Sequence, residues 1–238
     1  MTSTPQPVPF HPAPRRGRAL VAAAAGTVAL FMLSLLIGLL VAGRVYASPF
    51  SSSDTLHGYF AGHHTMVQVV AFLQFGSAIG LGVLSGLLWS RLRVLAPDAA
   101  GASTAVVVGG GVAASFLALN ALIQWVLSHS EVNAEPALVK ALTYLLWILG
   151  GAGHVAWLGL LLAGVSLVAL RLLPRWLGVT GLVLAGLAEL SLLALLTTGA
   201  VAFIPLGRFP SLLWLAAVSV LLSRPTGRQL RPADRLAA

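Results

Sequence analysis

The stretch "LVLAGLAELSLLALL", residues 182–196, holds fourteen uncharged residues and one carboxylate, Glu189, the only ionisable group between Arg175 and Arg208. A helix needs about 20 mostly apolar residues to cross a hydrocarbon core roughly 30 Å thick, and the run around Glu189 is long enough. The segment therefore reads as a membrane span with an acid at its centre. A charged side chain is costly there, so Glu189 calls for either a function or a polar neighbour.

The rest of the chain repeats the pattern. Of its 238 residues 58% are apolar and 8% charged, whereas a soluble domain carries about 25% charged residues to cover its surface. Such a chain cannot be a soluble globular protein, and its apolar residues come in blocks. These predict six helices, at about 19–43, 65–90, 103–127, 137–170, 176–203 and 209–223. The fourth is longer than a span requires, reaching roughly 50 Å at 1.5 Å per residue, and "GGAGH" at Gly150–His154 is the expected bend. "IPLGRFP" reads as a tight turn before the sixth, with Arg208 and Arg224 snorkelling to opposite interfaces. The expected fold is an all-α, six-helix integral membrane bundle.

Net charge is +8, but the basic residues lie in short clusters between the apolar blocks, which points to topology and not to nucleic acid. With the N-terminus inside, the inner side collects Arg15, Arg16, Arg18, Arg91, Arg93, Arg171, Arg175, Arg224, Arg228, Arg231 and Arg235. The outer side receives Arg44, Lys140 and Arg208. Eleven against three predicts both termini in the cytoplasm. Residues 1–18, rich in proline and closed by arginines, read as a disordered tail; 19–224 as the membrane domain; 225–238 as a basic tail. The excess of arginine over lysine and the abundance of alanine, glycine and leucine suit a bacterial inner-membrane protein. The absence of cysteine excludes disulfides and thiolate-bound metals.

The inner arginines serve as a depth gauge. Ser34 lies 16 residues from Arg18, Gln74 17 from Arg91, His154 17 from Arg171 and Glu189 14 from Arg175; Asn120 is about 17 into its span. All five fall about 20–25 Å from the inner boundary, which predicts a polar layer in the outer half of the bundle. Small residues sharing a face with Glu189 (Gly178, Ala185, Gly186) predict that it is buried against protein, with His154 and Asn120 as its nearest partners by depth. Burial would favour its acid form, donating a hydrogen bond. The functional reading is a ligand or proton site at Glu189, His154, Asn120, Gln74 and Ser34; the structural reading is interhelical glue.

A second set of polar residues gathers outside: Asp54, His57, His63, His64, His129, Glu131 and Glu135. Four histidines on one side of a membrane can ligate zinc or copper, although their spacing matches no established metal motif. Exposed loop histidines are the alternative. Gly76-x-x-x-Gly80 and Gly82-x-x-x-Gly86 offer a face where a second helix, including one of a homo-oligomer, can approach. No nucleotide loop, catalytic serine motif or paired acid is present, so the sequence implies no cofactor and leans away from an enzyme.

"LPRWLGVTGLVLAGLAEL" from Leu173 and "RFPSLLWLAAVSVLL" from Arg208 resemble a bacterial family of short membrane proteins catalogued as domain of unknown function 4386. Pro174, Arg175, Gly178 and the pattern Arg208-Phe209-Pro210…Trp214 carry the likeness, which covers about residues 20–224. It implies a multi-helix membrane architecture and no particular activity. Three functions follow as expectations: a non-enzymatic protein binding a small ligand or partner within the bundle, a proton-coupled transporter of a small solute using Glu189 and His154, and a metal-dependent enzyme using the outer histidines.

Overall fold

A computed structural model describes residues 14–44 and 47–224. The described residues form helices and short connections, with no strand among them. The helices are α1 (Pro14–Ala42), α2 (Ser53–Gly62), α3 (His64–Leu95), α4 (Ala100–Leu127), α5 (Ser130–Asn133), α6 (Pro136–Ile148), α7 (His154–Leu172), α8 (Arg175–Leu190) and α9 (Phe203–Ser223). A π turn, Leu149–Gly153, joins α6 to α7, and two 3-10 turns, Ser191–Leu195 and Thr198–Ala202, lie between α8 and α9. Six stretches are long and apolar enough to cross a membrane: Gly17–Ala42, His64–Leu95, Ala100–Leu127, Pro136–Leu172, Arg175–Leu195 and Thr198–Ser223. The C-terminal tail and most of the N-terminal one lie outside the described residues. Helix already begins at Pro14, where a proline in the first turn forfeits no intrahelical hydrogen bond.

The six spans form a closed ring: α1 packs on α3, α3 on α4, α4 on α7, α7 on α8, α8 on α9, and α9 back on α1. The α6–α7 span is the most enclosed, 61% of its apolar window being buried against 33% for α1, so α7 is the most deeply buried member of the ring. Its Leu158, Leu161, Leu162, Val165 and Val168 have no exposed surface. Apolar burial gains nothing against lipid tails, so close van der Waals packing must hold this ring. Gly109 and Gly164 make the α4–α7 seam tight. A Cβ on Gly109 would lie 2.5 Å from the Leu161 backbone nitrogen, and one on Gly164 2.5 Å from the Ala102 carbonyl oxygen.

The expected bend is present, with Gly151 at φ −85°, ψ −110° inside the π turn. It shortens the membrane path of a 37-residue span that would otherwise reach roughly 55 Å. One other expectation is corrected. "IPLGRFP" is no turn: it is the start of α9, which opens at Phe203 and carries Pro210 inside. Pro205 stands in the first turn, where its missing N–H matters little, and surrounding helices accommodate the bond that Pro210 removes. The turn lies earlier, because α8 ends at Leu190 and gives way to the 3-10 segments. The glycine face of α3 takes its close neighbours from within the chain. A Cβ on Gly80 would meet Thr27 Oγ1 at 2.6 Å and one on Gly76 would meet Leu30 at 3.2 Å; Gly82 faces Ala114. Only Gly86 of the four has open space beside it.

The two ends of the ring differ. Arg18, Arg91, Arg93, Arg171, Arg175 and Arg224 mark a basic end. Arg91 there donates to the carbonyls of Leu222 (3.0 Å) and Arg224 (3.1 Å), which satisfies acceptors left over where α9 stops. At the opposite end α2 lies across the helix mouths, burying Leu56 and Phe60. It is tied down by His57 Nδ1, which donates to the Asn133 carbonyl at 2.7 Å. Just before it, Phe50 sits edge-on to Tyr144 and Trp147, and Lys140 Nζ donates to the Ser51 carbonyl at 2.5 Å.

Candidate functional site

The polar layer begins on the α3–α4 contact. Gln74, with no exposed surface, accepts through Oε1 from Asn120 Nδ2 at 2.9 Å and from Gln124 Nε2 at 2.6 Å. Asn120 and Gln124 are four residues apart and so lie on one face of α4. Gln124 is a member that sequence reasoning missed, and that spacing was the signal for it. On its far side Asn120 lies against the π turn: a Cβ on Gly150 would come within 2.4 Å of Asn120 Oδ1. The cluster is roofed at the α2 end by a void of about 10 Å³ lined by Tyr59, Phe60, Met66 and Gln124 among others, room for about one water.

His154, the first residue of α7, is buried and donates from Nδ1 to the Ala113 carbonyl at 2.9 Å. That bond sets the tautomer and leaves Nε2 as an acceptor. Ser34 is equally buried, but its hydroxyl donates to the Phe31 carbonyl one turn back in its own helix at 2.6 Å. It belongs to the layer by depth only.

The second missed member is Arg208. Sequence reasoning put it at the outer interface; it is 6% exposed, inside the bundle, with its guanidinium carbon 5.5 Å from the centre of the Phe31 ring. The gauge would have found it, since it stands 16 residues before Arg224 on the same helix. Reading "IPLGRFP" as a turn concealed it. One turn further along α9, the Ser211 hydroxyl is fully buried with no hydrogen-bond partner among the described residues, and the Ser191 hydroxyl after α8 is in the same condition.

Glu189 departs from expectation in the opposite sense. It lies on the outside of the ring, beside Gly159 of α7, where a Cβ would stand 3.0 Å from its Oε1. No hydrogen bond or ion pair joins its carboxyl group to His154, Asn120 or any other described residue. The small residues used to orient it occur on both sides of α8. Gly178 and Ala185 do pack inward, but Gly186 faces open space.

The outer histidines do not converge. Among the described residues no three of His, Asp and Glu are grouped so as to hold a metal ion. His63 Nδ1 donates to the Tyr59 carbonyl at 3.0 Å and His129 Nδ1 to the Trp125 carbonyl at 2.9 Å, each four residues back at the end of a helix. They serve as C-terminal caps for acceptors left without intrahelical partners. Replacing His57, His63, His64 and His129 together by alanine is expected to leave an inserted, folded protein, because each contributes at most about 1 kcal/mol of net hydrogen bonding. Elemental analysis of native and quadruple-substituted protein checks this; a stoichiometric metal lost on substitution would reverse it.

These features define a six-span helical membrane protein with a cationic, amide-rich layer in its interior. Compared with known proteins, the chain matches no family model, no curated protein and no solved structure.

Proposed function

We propose that the protein is a non-enzymatic, multi-pass protein of a bacterial cytoplasmic membrane, with both ends inside, that binds a small anionic ligand between its helices. The observation that carries this reading is Arg208, a permanent cation that is buried and stands 16 residues from Arg224, beside 17 from an inner arginine for Gln74 and His154. Ionisable groups within membrane spans are costly and mark ligand or ion pathways. Guanidinium offers five N–H donors in a fork that suits a carboxylate or a phosphate. The Ser211 and Ser191 hydroxyls, buried without hydrogen-bond partners among the described residues, can donate to an anion, and His154 Nε2 can accept from one that carries an O–H, such as hydrogenphosphate. The proton-coupled reading loses its main support, since Glu189 and His154 do not meet.

Access would follow from the fold. The α2 helix roofs the amide cluster, and the π turn at Leu149–Gly153 supplies a hinge beside Asn120. π turns inside helices are frequent at functional positions. The test is thermal unfolding of the protein in lipid nanodiscs with acetate, inorganic phosphate or chloride. A bound anion at a hundredfold its Kd contributes about 2.7 kcal/mol, a rise of roughly 5–10 °C for a chain of this size. At least one probe should raise the transition temperature with saturation. A flat response to all three would overturn the reading.

A further inference from the structure

Glu189 sits some 21 Å along α8 from Arg175, at 1.5 Å per residue, well inside a hydrocarbon layer about 30 Å thick. Its surroundings on the ring surface are apolar: Val183 is 58% exposed, Leu190 42% and Leu193 42%. Lipid tails can give a carboxyl group neither a donor nor an acceptor, and no described residue of the chain does so. Something else must. One feature beside it leaves room: Gly186, one turn away, with nothing within 4 Å of a built Cβ, whereas Gly159 is filled by α8 of the same chain.

We propose that the α7–α8 face around Glu189 is the contact between two copies of this chain, related by a two-fold axis that brings Glu189 of each against the other. In such a contact one patch meets itself, so its chemistry must be self-complementary. A carboxylic acid meets that condition, donating through its O–H and accepting through its C=O, so two of them close a pair without a further partner. An apolar helix or a lipid tail on this face would leave the group unsatisfied. Gly186 lets the second α8 come close enough for the pair to form. This assignment is independent of the ligand reading, which concerns the ring interior.

The chain has no cysteine, so single cysteines report the contact in native membranes. Gly186→Cys is expected to oxidise to a covalent dimer. Phe72→Cys, 77% exposed on α3 across the ring, is expected to remain monomeric. In nanodiscs or mild detergent the native protein should have the mass of two chains. Glu189→Gln keeps a donor and an acceptor and should retain the dimer, whereas Glu189→Leu should weaken it about tenfold. Equal folding of the two variants, followed by thermal unfolding, separates lost association from lost structure. A monomeric native protein would overturn the proposal. So would a dimer indifferent to Glu189→Leu, crosslinking at Phe72→Cys but not at Gly186→Cys, or a complex of Glu189 with a different protein.

Discussion

Arg208→Met is expected to leave the protein as stable as the native chain or up to about 4 kcal/mol more stable, while abolishing stabilisation by the anion that binds it. The reasoning starts from desolvation. Holding a guanidinium away from water costs several kcal/mol even after relaxation, and methionine of similar length fills the space without that cost. The cation–aromatic contact with Phe31 offsets about 2 kcal/mol of it at a desolvated site. A residue kept for architecture would behave otherwise: its loss would loosen α9 from α1, and the transition temperature would fall. Unfolding in nanodiscs, with and without the responsive anion, measures both halves. A methionine variant less stable by more than about 1 kcal/mol would make Arg208 a structural element and remove the main support for an anion site.

The second large effect concerns the seam that closes the ring. Gly109→Val and Gly164→Val are each expected to destabilise the bundle by about 3 kcal/mol, the upper part of the usual range for overpacking. Both would drive a side chain into backbone: Leu161 N and Trp157 O around Gly109, Ala102 O around Gly164. Backbone within a helix cannot rotate aside as a flexible side chain can. The double variant should cost less than the sum, because a seam opened by one valine already has room for the other. Gly86→Val is the control, since nothing lies within 4 Å of its Cβ, and it should change stability by less than about 0.5 kcal/mol. Equal losses at Gly86 and Gly109 would show that valine in these helices, and not the α4–α7 contact, is responsible.

How far the candidate site was legible follows from particular residues. Gln74, Asn120 and His154 were placed at one level by counting from arginines, and the fold brings the first two into direct contact. Their inward orientation rested on a sound premise, that a polar group facing lipid is costly. The same premise failed for Glu189, because it says that the group must be covered without saying by what. Arg208 failed for a different reason. Two prolines and a glycine in seven residues are strong turn signals in water, yet packed neighbours in a bundle make helix the better solution there. Once the turn was misplaced, a buried cation became an interfacial one. The histidines at helix ends were read as possible ligands, although a histidine just past an apolar helix also has carbonyls to cap.

The sequence by itself determined the number of spans, the end of the bundle at which the arginines gather and the shared depth of Gln74, Asn120 and His154. These are one-dimensional quantities, because hydropathy sums along the chain and each helical residue rises 1.5 Å. Only the tertiary structure decided direction around each helix axis: Arg208 inward, Glu189 outward, Gly80 against Thr27. In water an apolar stripe opposite a polar one announces which way a helix faces. In a membrane both the lipid side and the protein side are apolar, so that contrast vanishes, and the fit of glycines, bends and bulky side chains between neighbours sets the rotation instead.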